Sequence, residues 1–175
     1  LRAFKYLSPF LLYAGAILAF ISNGWFVWLP LIYAWVVIPL AELFIKPNPS
    51  NMTEAEEEMA RADRTYDYIL YAIVPLQYAG LFLFLQNITQ PSLATADIIG
   101  RVLVMGLLCG TLGINVGHEL GHRSKKYEQV LAKMLLLTSL YMHFSIEHNK
   151  GHHKRVATKE DPSSARLNES VYLFY

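Results

Sequence analysis

Residues 6–41, YLSPFLLYAGAILAFISNGWFVWLPLIYAWVVIPLA, carry no charged side chain between Lys5 and Glu42. A helix crosses a bilayer core with roughly 20 apolar residues, and this run exceeds that length. Ser22-Asn23-Gly24 interrupts it with residues that favour a turn. The stretch therefore reads as one helix from about Tyr6 to Ile21 and a second from about Trp25 to Phe44. Pro9, Pro30 and Pro39 do not argue against this, because neighbouring helices re-satisfy the backbone around a membrane-embedded proline. A soluble domain seldom leaves such a run without a charged face. The fold class expected is an all-α integral membrane protein.

Working outward, a second charge-free gap separates Asp67 from Asp97. It predicts a third helix from about Tyr68 to Leu85 and a loop at Asn87–Pro91. A fourth follows from about Ile98 to Gly117, with Arg101 near its start and able to snorkel to the interface. The expectation is one membrane domain: a helical bundle with about four transmembrane helices (6–21, 25–44, 68–85, 98–117), followed by a histidine-rich region over 118–175. The connector from Lys46 to Asp67 opens with Pro47-Asn48-Pro49-Ser50 and continues into the acidic run Glu54–Glu58, which suggests a short solvent-facing helix. The composition agrees, with 54% hydrophobic residues; the net charge of +1 says little by itself, and no nucleic-acid partner is expected. Cys109 is the single cysteine, so neither an internal disulfide nor a cysteine-based metal site is available.

Basic residues orient the bundle. With the N-terminus in the cytoplasm, Arg101 alone of the fifteen Lys and Arg residues falls on the far side. Everything after Gly117 then faces the cytoplasm. One more apolar segment, Val130–Ile146, is short and carries Lys133 and His143. It reads as a helix buried against the bundle or lying at the interface, because a crossing there would part the two histidine clusters.

The first cluster is Asn115-Val116-Gly117-His118-Glu119-Leu120-Gly121-His122. His118 and His122 are four apart and share one helical face. They lie at the end of an apolar helix, where ionisable groups are costly. The same residues match H-E-x-x-H, the zinc-protease pattern in which the glutamate activates water. The second cluster is Glu147-His148-Asn149-Lys150-Gly151-His152-His153, where His148 and His152 repeat the spacing and His153 adds a neighbouring direction. A catalytic zinc takes three protein ligands, so five histidines point to two metals, and imidazole suits iron, copper and zinc alike. Glu119 and Glu147 adjoin cluster histidines and are candidate hydrogen-bond partners for the ligands. His143 is expected in a supporting or interfacial role. The basic residues around the clusters suit lipid headgroups or an acidic electron-donor protein.

Together, Asn115–Arg123, Ile146–His153, Val156-Ala157-Thr158 and Asp161–Arg166 resemble the membrane-bound alkane 1-monooxygenases, within the fatty-acid desaturase and hydroxylase superfamily. The likeness extends more weakly to Val74-Pro75-Leu76-Gln77-Tyr78-Ala79 and the apolar helices. It implies hydroxylation of the terminal carbon of a medium- to long-chain alkane with O2, two non-haem iron ions, and His118, His122, His148, His152 and His153 as iron ligands. It further implies rubredoxin as electron donor with its rubredoxin reductase, and residence in the cell inner membrane. The family's third histidine box, of the L-Q-R-H-x-D-H-H type, has no match here. Residues 1–175 are therefore expected to be the N-terminal portion of a longer enzyme, inactive alone. A desaturase or lipid hydroxylase of the same superfamily is the alternative reading, and a membrane zinc metalloprotease built on the H-E-x-x-H match is a more distant one.

Overall fold

The computed structural model describes residues 6–46, 50–161 and 163–174, and every regular element among them is helical. Leu1–Lys5 and Pro47-Asn48-Pro49 of the expected cytoplasmic segments lie outside the described residues. Helix α1 is Ser8–Ile21 and α2 runs Trp25–Phe44. In α2 the hydrogen-bond ladder widens to π geometry at Tyr33–Val37, just after Pro30, which has no N–H to donate. Helix α3 (Glu54–Ala62) is the expected acidic surface helix. It starts on a capping box in which Thr53 and Glu56 satisfy each other's backbone N–H. Helix α4 is Thr65–Ile88 and α5 is Thr95–Gly121, with a π segment at Cys109–Ile114. Helix α6 is Lys126–Leu137.

Three of these helices, α2, α4 and α5, are long and apolar enough to cross a membrane. Helix α1 is equally apolar but has 14 residues, about 21 Å at 1.5 Å per residue, against a hydrocarbon core of about 30 Å. It buries Leu12, Tyr13, Ala16, Ala19 and Phe20, a helical stripe that packs with Ile73 and Val74 of α4 and Val104 and Leu108 of α5. At Gly100 a Cβ would meet Val27 Cγ1 at 2.6 Å, so α2 and α5 approach backbone to side chain there.

Two expectations are corrected. Arg101 does not snorkel: it is 1% exposed. Its Nη1 donates to Asn87 O at 2.8 Å, and its Nη2 to Ser22 O at 2.8 Å and Asn23 Oδ1 at 3.0 Å. The C-terminal carbonyls of α1 and α4 lack helical partners, and one guanidinium fork serves both. Nor does a single helix fill 130–146. Helix α6 begins earlier, at Lys126, and ends at Leu137. Leu140 there takes φ 57°, Tyr141 N–H bonds Leu136 O, and Leu140 N–H bonds Leu137 O, each at 2.9 Å. This is the six-to-one, five-to-two pattern of a Schellman stop, made with leucine where glycine is usual.

That stop is anchored in the bundle. Gln77, fully buried on α4, accepts from Tyr13 Oη at 2.7 Å and donates to Thr138 Oγ1 at 3.1 Å and Cys109 Sγ at 3.5 Å. Helix α5 and helix α6 meet at Gly117, where a Cβ would meet Leu136 Cγ at 3.2 Å and Ala132 O at 3.3 Å. The residue after Gly117 is the first cluster histidine.

Candidate metal centre

His118 lies in the last turn of α5 and His122 caps it, so four-residue spacing on an α-helix puts both rings on one side. Their Nε2 atoms are 2.7 Å apart. The second cluster arrives on a short helical arm over 144–155, made of Phe144–Ile146, a π turn Glu147–His152, and His153–Arg155. The Nε2 of His148 lies 3.3 Å from that of His122 and 2.9 Å from that of His153. One nitrogen from each of His118, His122, His148 and His153 falls within 4.8 Å of all the others.

Four imidazole nitrogens about 2.1 Å from one ion would stand roughly 3.0–3.4 Å from their nearest neighbours. The neighbouring separations of 2.7, 2.9 and 3.3 Å fall within or just below that range, so the donor set fits transition-metal ligation by neighbouring histidines. Burial, and then the crowding of His118, His153, His122 and His152, push the His148 imidazole down to about 4. At neutral pH it is uncharged, which is the form that binds metal.

The arm departs from the expected spacing. In π geometry the backbone bonds run from i to i+5, which brings residues five apart much nearer to one side than an α-helix does. His148 Nε2 thereby meets His153 Nε2, while His152, whose Nδ1 engages Asp161, is not among the four converging histidines. His152 Nδ1 lies 2.9 and 3.0 Å from the two carboxylate oxygens of Asp161. Its ring centroid remains 5.6 Å from those of His148 and His153, at the edge of the cluster.

The supporting carboxylates also differ from expectation. Glu119 sits a residue beyond His118 and so projects about 100° away from it. Its carboxylate accepts from Arg123 Nη2 at 2.9 Å and Nε at 3.1 Å, while Arg123 Nη1 reaches Asp67 at 3.2 Å. Glu147 is exposed on the arm. His143 leaves the cluster and sets its ring edge-on to Tyr141 at 4.7 Å. The carboxylate that does touch a cluster histidine is Asp161. It is 5% exposed and also accepts Ser163 N–H at 2.9 Å and Ser164 Oγ–H at 2.5 Å. Those hydrogen bonds, the Ser164 hydroxyl foremost, hold its carboxyl well below the usual carboxylate range. Phe144 is a second residue that sequence reasoning passed over. Its ring stacks on His148 at 4.8 Å and meets His118 edge-on at 5.7 Å, giving the site an apolar wall.

Comparison with known proteins places this geometry. Residues 96–175 match the fatty acid desaturase family. Over 155 residues the chain is 36% identical both to alkane 1-monooxygenase 1 of Alcanivorax borkumensis and to alkane 1-monooxygenase of Pseudomonas putida, covering 87% of this chain and 38% of each relative. Alkane 1-monooxygenase of Acinetobacter baylyi is 32% identical over 140 residues, 80% of this chain and 34% of its own length. The chain thus spans little more than a third of the relatives it matches. By sequence it is similar to the alkane 1-monooxygenases, and its C-terminal part to the fatty acid desaturase family.

Proposed function

We propose that this chain forms part of a multi-pass membrane monooxygenase that hydroxylates the terminal carbon of medium- to long-chain alkanes. In this reading two iron ions are held in part by His118, His122, His148, His152 and His153, and electrons come from rubredoxin. One observation carries it: four imidazole nitrogens from two distant segments converge at the end of the apolar helix α5. The relatives' names supply the substrate class. The distribution of Lys and Arg supports a cytoplasmic position for the histidines, and residence in the cell inner membrane is part of the same reading.

The bound iron would supply O2 activation. The chain's own residues would hold and orient it and keep water away. Phe144 covers one side of the histidines. An alkane has no polar handle, so its binding rests on burial, at about 0.8 kcal/mol per methylene. An apolar cavity of about 360 Å³ lies beside α5, lined by Ile69, Leu70, Ile73, Leu112 and Val116 among others, with Glu119 at its edge. It offers such a surface next to the helix that bears His118. The zinc-protease reading loses support, because the Glu119 carboxylate that would activate water is engaged by Arg123.

The test is anaerobic purification of the full-length protein, metal analysis, and product analysis with octane, O2 and reduced rubredoxin. Iron and 1-octanol are expected, both lost in His118→Ala and His153→Ala. Olefinic products from acyl substrates, with no alcohol from octane, would move the reading to a desaturase. Zinc without iron would remove the monooxygenase reading.

A further inference from the structure

We propose that Asp161 is the positioning residue for His152: its carboxylate accepts the Nδ1–H and so leaves the Nε2 lone pair free for a metal ion. The inference rests on the metal-centre reading above and adds a residue and a loop to it. A neutral imidazole carries one proton on one of two nitrogens, and the hydrogen bond made by one nitrogen decides which is left to bind metal. For His118, His122, His148 and His153, Nε2 already points into the cluster. His152 is the one cluster histidine turned aside, and the one with a carboxylate on its Nδ1.

The loop after the arm is built to hold that carboxylate. Asp161 N–H bonds Thr158 O at 3.2 Å, and Thr158 N–H bonds Arg155 O at 2.9 Å. Between them Ala157 takes φ 62°, a left-handed conformation that alanine rarely adopts. The chain thereby turns back and brings Asp161 under His152. Ser163 N–H and Ser164 Oγ–H fix the two carboxylate oxygens from the other side. A buried carboxylate with both oxygens held and aimed at a ring nitrogen is pre-organised for one donor.

Co2+ titration of the full-length protein, followed by absorption, tests the assignment. Asp161→Asn keeps the shape and removes the charge, and is expected to weaken Co2+ binding by roughly 10–100-fold. His152→Ala should reproduce that loss, and the double variant should show little beyond either single change, as expected for residues acting as one unit. Glu160→Gln perturbs the same loop through its exposed pair with Arg155 but leaves every contact of Asp161 in place, and should bind Co2+ much as the parent does. If Asp161→Asn gives the parent's affinity and spectrum, the assignment is overturned. The same holds if Glu160→Gln and Asp161→Asn lose affinity equally, since Asp161 would then act only through loop structure. A parent protein that takes up no Co2+ would instead sink the metal-centre reading itself.

Discussion

The Nε2 atoms of His148 and His153 stand 2.9 Å apart although the residues are five positions apart, a spacing that an α-helix would send to different sides. The π turn over Glu147–His152 makes the contact, and it sorts the six histidines by role. His153 is inside the cluster, His152 at its edge, and His143 outside it. His153→Ala should therefore lower metal affinity at least tenfold, while His143→Ala should leave it within about twofold, the difference between losing a ligand and losing a neighbour. Metal titration of the two variants decides this, and equal losses would discard the π-turn register.

Acid should loosen the metal-free site. His148 has a folded value of about 4 against the ordinary 6.5, owing to burial first and then to the surrounding histidines. Between those values the unfolded chain binds the proton and the folded chain does not. Stability therefore falls as pH drops from about 6.5 towards 4, and is flat in this term above 7. The thermal midpoint of the metal-free protein should drop between pH 7 and pH 5, and the drop should shrink in His148→Asn. A pH-independent midpoint would contradict it.

Gly117 sets how closely α6 lies against the helix bearing His118. Leu136 and Ala132 are already within 3.3 Å of where a Cβ would stand, so Gly117→Leu must push the helices apart. Overpacking of this kind costs about 1–3 kcal/mol. A lower thermal midpoint together with weaker metal retention is expected. An unchanged variant would mean that α6 is free to move.

The apolar runs and both histidine clusters are legible in the sequence because their signals are local: a charge gap, or a spacing of four. What is not legible depends on contacts between distant segments. The Leu140 stop contains neither glycine nor proline, and its anchor, Gln77, is 61 residues from Thr138. The π turn carries no residue signature, so spacing alone makes His152 look equivalent to His153. Asp161 lies nine residues from His152 and reaches it only because Ala157 turns the chain. The glutamates next to the histidines were the natural candidates by proximity, yet adjacency on a helix directs them elsewhere, and Arg123 collects Glu119.

The buried Tyr13–Gln77–Thr138 chain makes a matched-pair prediction. Gln77→Leu strands the Tyr13 hydroxyl, which is 2% exposed and donates to Gln77. An unsatisfied buried hydroxyl costs about 1–3 kcal/mol. Adding Tyr13→Phe should recover part of that loss, as read from denaturation midpoints in detergent. A double variant less stable than Gln77→Leu alone would show that the hydroxyl has another partner.

X-ray absorption at the iron edge of the purified full-length protein asks whether the converging imidazoles of His118, His122, His148 and His153 hold iron. A nitrogen-dominated first shell near about 2.1 Å with the outer-shell scattering of imidazole rings is expected, diminished in His118→Ala and His153→Ala. A protein that retains no iron, or iron whose spectrum is indifferent to these substitutions, would contradict that expectation.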